Sequence, residues 1–122
     1  MARELISHKV TGLNEKISID VVDEPGPGGA CHEYRMSIDT SKTIERVYLS
    51  FQNGPIQEVG VNGLSIEALL AIVEDRLLGF QSGQFACREN ALALTKIQES
   101  LMWLGKRTRD RLARGVEGTM EK

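Results

Sequence analysis

The stretch S-I-E-A-L-L-A-I-V-E-D-R-L-L-G-F, residues 65–80, decides the fold. Ile66, Leu69, Leu70, Val73 and Leu77 recur at i, i+3, i+4, i+7 and i+11, one continuous apolar face of an amphipathic helix. Ser65 is placed to cap its amino end, and Glu67 puts an anion in the first turn, where the helix dipole favours it. Gly79 and the run Gln81-Ser82-Gly83 stop it. A second helical pattern runs from Ala86 to about Arg114 without a proline, with Leu94, Ile97, Leu101 and Leu104 as its main stripe. Two antiparallel helices at about 65–80 and 86–114, joined by a short loop, follow from this spacing.

Upstream the period changes from 3.6 to 2. Ile17–Val21, Tyr34–Ile38 and Val47–Phe51 each alternate apolar and polar residues, as half-buried strands do. Asp39-Thr40-Ser41-Lys42 is turn chemistry, so the last two strands are expected to pair as an antiparallel hairpin. Pro25-Gly26-Pro27-Gly28-Gly29 forbids regular structure and reads as a mobile turn or hook. Ile56–Val61 reads as a short further strand, ended by Asn62-Gly63. Strand patterns that precede helix patterns argue for an α+β fold: a small antiparallel sheet from about 8–61, packed against the two-helix hairpin. We expect one domain over 1–122, strand-rich to about 63 and helical with a tail from 64 onward.

The 122 residues are 41% hydrophobic, 26% charged and 5% aromatic, an ordinary globular composition whose core must lean on Leu, Ile and Val. No apolar run approaches the roughly 18 residues of a membrane span, and the amino-terminal stretch lacks a secretory apolar segment. Cys31 and Cys87 lie far apart without metal-ligand spacing, which suits two reduced, partly buried thiols of an intracellular protein. Net charge is −2, but residues 1–85 carry 7 Lys and Arg against 12 Asp and Glu, and residues 86–115 carry 7 against 3. One local basic element on an acidic chain suits a compact anionic ligand better than a long polyanion.

Trp103 stands outside the main stripe of the second helix, about 180° from Leu94 and within about 20° of Leu92. A helix apolar on two opposite faces needs two burial partners, and a second copy of the chain is the simplest second partner. Enzyme signatures are scarce. His8 sits in a frayed-looking amino terminus and His32 beside Cys31 and Glu33. Adjacent strand residues point to opposite faces, so Cys31 and His32 do not make a nucleophile–base pair. These groups, with Asp23-Glu24 and Glu74-Asp75, read as solvated charge, and no catalytic set, metal site or cofactor motif is expected. The basic run 106–114 is the most informative chemistry: Arg107, Arg111 and Arg114 fall at i, i+4 and i+7 on one helix face. Such a cluster is either a solvated face that complements the helix dipole or a set of guanidinium forks for phosphate.

C-R-E-N-A at 87–91, W-L-G-K-R-T-x-D-R at 103–111 and R-G-V-E-G-T at 114–119 resemble the C-terminal helices of phage Thoeris anti-defence proteins of the first type. The same region resembles the shorter phage anti-CBASS sponges of the second type. The strands and V-G-V-N-G-L-S-I-E at 59–67 tip the likeness toward the Thoeris inhibitors. The resemblance implies a non-catalytic sponge in the host bacterial cytoplasm that holds cyclic ADP-ribose isomers (glycocyclic ADP-ribose) intact and so blocks Thoeris immunity. It implies a homo-oligomer, a dimer or a trimer of dimers, with separate pockets for cyclic oligonucleotides in some members, and neither DNA nor membrane as partner. It also implies an inter-protomer pocket in which Phe80 stacks the ligand, Asn90 hydrogen-bonds it, and Arg107 and Arg111 contact its phosphates. The residues fit that chemistry, since an aromatic platform is worth about 1–3 kcal/mol per stacked base and an asparagine both donates and accepts. The competing reading is a small phage nucleic-acid-binding or protein-interaction module that uses the basic helix.

Overall fold

The computed structural model describes residues 2–122, which form an α+β chain of two compact units. The first unit takes residues up to 54 together with 61–63, and the second takes 55–60 and 64–122.

The first unit is a four-stranded antiparallel sheet in sequence order, β1 (Arg3–Leu5), β2 (Ile17–Val21), β3 (Glu33–Asp39) and β4 (Ile44–Ser50). Its register puts Ile19 opposite Met36, Val21 opposite Tyr34, and Met36 opposite Val47, so one pleated face carries an apolar ladder. Val21 is 1% exposed, and the Tyr34 ring meets Phe51 edge-on at 5.6 Å between centroids. The hairpin expected between β3 and β4 forms: Asp39 Oδ1 accepts the Ser41 N–H at 2.9 Å, and the Thr40 N–H donates to the Thr43 carbonyl at 3.0 Å. Gly63 packs where a Cβ would lie 2.5 Å from the Phe51 carbonyl carbon, which is why no side chain fits there.

Several expectations for this half are corrected. β1 is paired with β2, Leu5 opposite Ile19, although three residues are too few to show a period. The amino-terminal segment beyond it is not frayed, because His8 Nε2 lies 2.7 Å from the Ile17 carbonyl oxygen. His32 is 8% exposed, not solvated. The Pro25–Gly29 hook folds over its ring, with the Pro27 carbonyl 3.2 Å from Nε2 and Gly26 against Cδ2. Asp23 is equally structural: its carboxylate accepts the His32 N–H at 2.9 Å and the Glu33 N–H at 3.2 Å, fixing the entry into β3. The His32 N–H holds this carboxyl below its ordinary value and the Glu33 N–H acts in the same direction, against desolvation.

A lowered folded pKa makes this contribution complete above the unfolded carboxylate value of about 4 and lost as pH falls through the folded one. The gap in melting temperature between the unmodified protein and Asp23→Ala should therefore shrink steadily from about pH 5 toward pH 2. A gap that stays constant over that range, read by circular dichroism, would show that the charge contributes nothing.

In the second unit, α1 (Ile56–Val59) replaces the strand expected there. The Pro55 carbonyl accepts the N–H of Glu58 and Val59 at 3.0 and 2.9 Å, and Gly60 at φ 75° closes the turn. Period alone cannot separate strand from helix over so few residues. The hairpin of α2 (Ile66–Gln81) and α3 (Arg88–Arg114) matches the expected pair to within two residues at each end. Ser65 Oγ accepts the Ala68 N–H at 3.0 Å, the cap that its sequence position predicts. Cys87, exposed and not partly buried as expected, caps α3 through its sulfur, which accepts the Asn90 N–H at 3.4 Å. Gln81 clamps the connection from both sides, accepting the Cys87 N–H at 3.0 Å and donating to the Cys87 carbonyl at 3.1 Å. At the far end Gly115 adopts the left-handed conformation at φ 73°, and the Val116 N–H returns to the Arg111 carbonyl at 3.0 Å. No helix of the described residues is long and apolar enough to cross a membrane.

Candidate functional site

The residues singled out from the sequence fall into two groups, one at each end of α3. Phe80 is in the last turn of α2 and Asn90 in the first turn of α3, on either side of the Gln81–Cys87 clamp. Phe80 is 39% exposed, although its position continues the α2 helix beyond the apolar stripe. The Arg76 guanidinium, one turn earlier, lies over its ring at 5.2 Å from the centroid. At 39% exposure part of the Phe80 side chain remains open to solvent beside that cation. Arg76 was not foreseen as a site residue; its only sequence signal is the i, i+4 spacing to Phe80. Asn90 spends its backbone N–H on Cys87 and is half-buried.

The second group lines a shallow pocket of about 380 Å³ formed by Arg107, Asp110, Arg111, Arg114 and Lys122. Helical spacing brings the three arginines to one side, as the sequence predicts. Asp110 offsets only part of their charge. Its carboxylate binds Lys106 Nζ at 2.6 Å, and that hydrogen bond, with the nearby cationic charges of Lys106, Arg109 and Arg114, holds its carboxyl below the ordinary value. Arg107 is exposed, and among the described residues its side chain makes no hydrogen bond or ion pair. Arg111 is different. Its side chain is 11% exposed, donating to the carbonyls of Val116 at 2.9 Å, Thr119 at 3.1 Å and Glu121, with Nε 3.6 Å from Glu117 Oε1. Lys122 and this returning segment were not foreseen, because backbone carbonyls carry no sequence signature.

The two groups do not meet within one chain. Asn90 and Arg107 are separated by 17 positions of continuous helix, about 25 Å at 1.5 Å per residue. The side of α3 between them is open: Leu92 is 46% and Trp103 68% exposed, flanking an exposed Lys96–Glu99 ion pair at 3.9 Å.

Residues 44–109 match the family model described as the Acb2/Tad1 hairpin domain. A relative from Bacillus phage SBSphiJ7, named Thoeris anti-defense 1, is 57% identical over 74 residues, which is 61% of this chain and 52% of the relative. The match thus spans about half of that relative's length.

Proposed function

Because the chain belongs to the Acb2/Tad1 hairpin-domain family, we propose that it is a phage anti-Thoeris protein that sequesters a cyclic ADP-ribose isomer, glycocyclic ADP-ribose, without cleaving it. The observation that carries this reading is one hairpin with an aromatic platform at one end and a cation-lined pocket at the other. A cyclic ADP-ribose isomer offers an adenine face for Phe80, ribose and base-edge groups for Asn90, and a diphosphate for the basic face that Arg107 shares with Arg111 and Arg114, where Arg107 is the exposed guanidinium. Holding such a ligand intact needs desolvated stacking and charge pairing, with no general acid, base or nucleophile.

The separation of about 25 Å along α3 bears on assembly. One nucleotide of this size cannot touch both ends of the helix in a single chain. An antiparallel second copy, laid on the exposed Leu92–Trp103 face, sets the basic end of one α3 beside the Phe80 end of the other. A homodimer is therefore the smallest unit with a complete pocket, and a trimer of dimers is compatible with it. Within this reading the protein acts in the host cytoplasm, where the signal is made, and a second ligand of the cyclic oligonucleotide class would occupy a separate pocket.

The basic helix also allows binding to a nucleic-acid backbone, and salt separates the two readings. Titration calorimetry with glycocyclic ADP-ribose should saturate at a fixed ratio to protein and change little between 50 and 200 mM salt. Backbone binding through several cations loses orders of magnitude in affinity over a comparable range. Saturable duplex DNA binding with a steep salt slope, and none with the cyclic nucleotide, would replace the proposal with the second reading.

A further inference from the structure

We infer that Arg111 is a positioning residue: it folds segment 116–122 back to form one wall of the anion pocket, leaving Arg107, Arg114 and Lys122 to meet the anion. The inference takes the identity of the anion from the reading above and concerns how its pocket is built. Three carbonyls of one short segment, those of Val116, Thr119 and Glu121, converge on a single guanidinium. Glu117 supplies the counter-charge, its Oε1 3.6 Å from Arg111 Nε. A guanidinium so occupied has no free fork to turn toward a phosphate without dismantling the segment.

The segment is held from a second side. The Gln57 backbone N–H donates to the Gly118 carbonyl at 3.0 Å, and Gln57 Nε2 donates to the Glu117 carbonyl at 2.8 Å. Gly118, at φ 80°, lies close against the Gln57 side chain: a Cβ there would be 3.1 Å from Gln57 Cγ. Inside the segment, Thr119 Oγ1 donates to the Val116 carbonyl and accepts the Glu121 N–H at 3.1 Å. Where the segment ends, the Arg114 guanidinium donates to the Lys122 carbonyl, which sets Lys122 on the pocket rim. Among the described residues, Arg111 Nε and Glu117 Oε2 are buried without a hydrogen-bond partner, so the Arg111–Glu117 charge pair at 3.6 Å is what offsets their burial.

Gln57 gives the discriminating variant, because it grips the segment but does not line the pocket. Hydrogen exchange at the amides of Val116, Thr119 and Glu121 reports on the segment in the ligand-free protein, and calorimetry with inorganic pyrophosphate reports on the pocket. Arg111→Lys and Gln57→Ala should each speed exchange there by about tenfold or more and weaken pyrophosphate binding. Arg107→Ala should weaken pyrophosphate comparably and leave exchange unchanged. Unchanged exchange in Arg111→Lys overturns the anchoring role. Faster exchange in Gln57→Ala at full pyrophosphate affinity overturns the wall, and so does an unmodified protein that takes up no pyrophosphate. Failure of the sponge reading has a different signature: pyrophosphate binds as expected and the cyclic nucleotide does not.

Discussion

Phe80→Ala is expected to lower affinity for glycocyclic ADP-ribose by about ten- to hundredfold, from the roughly 1–3 kcal/mol that one base gains on an aromatic platform. The ring is 39% exposed at the end of α2, so its removal opens little of the protein's interior. Stability should consequently fall by much less than affinity does. Phe80→Leu keeps the apolar volume and discards the π face, and it should lose nearly as much affinity as the alanine variant. Calorimetry at fixed salt measures both, and full affinity in Phe80→Leu would assign the side chain to packing instead of stacking.

Trp103→Ala should shift the proposed homo-oligomer toward dissociation by roughly thirtyfold or more, as expected when a central aromatic anchor worth about 2 kcal/mol or more is truncated. Trp103 is 68% exposed in the isolated chain and Leu92, on the same side of α3, is 46% exposed. An exposed side chain with no partner changes chain stability by only about 0.5 kcal/mol when truncated. The expected signature is therefore a large change in association with a small change in the unfolding of the dissociated chain. Sedimentation velocity at micromolar concentration reads the first quantity. A monomeric unmodified protein there would remove the interface, and with it the pocket shared between chains.

Legibility in the sequence followed the length and regularity of each element. The apolar stripe from Ile66 to Leu77 and the proline-free run to Arg114 placed both long helices to within two residues, because 16 and 27 residues carry a period unmistakably. β2 was legible from five alternating residues, whereas β1 has three and Ile56–Val59 four, too few to carry either period. His32, between Cys31 and Glu33, reads as solvated in the sequence; its burial comes from a hook of prolines and glycines whose path depends on dihedrals, not side-chain pattern. The arginine face was legible from i, i+4 and i+7 spacing. The partition of labour within it was not. Equal spacing made Arg107 and Arg111 look equivalent, and the carbonyls that occupy Arg111 are backbone groups every residue possesses. That occupancy also changes the stability expected of variants: clustered like charge predicts relief on removing Arg111, whereas the Glu117 partner and the returning segment predict a loss.

Heat release of the bound ligand tests whether sequestration leaves the nucleotide intact. The protein is incubated with glycocyclic ADP-ribose, separated from excess nucleotide by gel filtration, denatured by heat, and the supernatant is analysed by mass spectrometry. Intact sequestration predicts recovery of the same cyclic nucleotide, unaltered and in fixed ratio to protein, and its loss from the Phe80→Ala and Arg107→Ala proteins. Recovery of linear ADP-ribose or another altered product, or of no nucleotide from the unmodified protein, would contradict it.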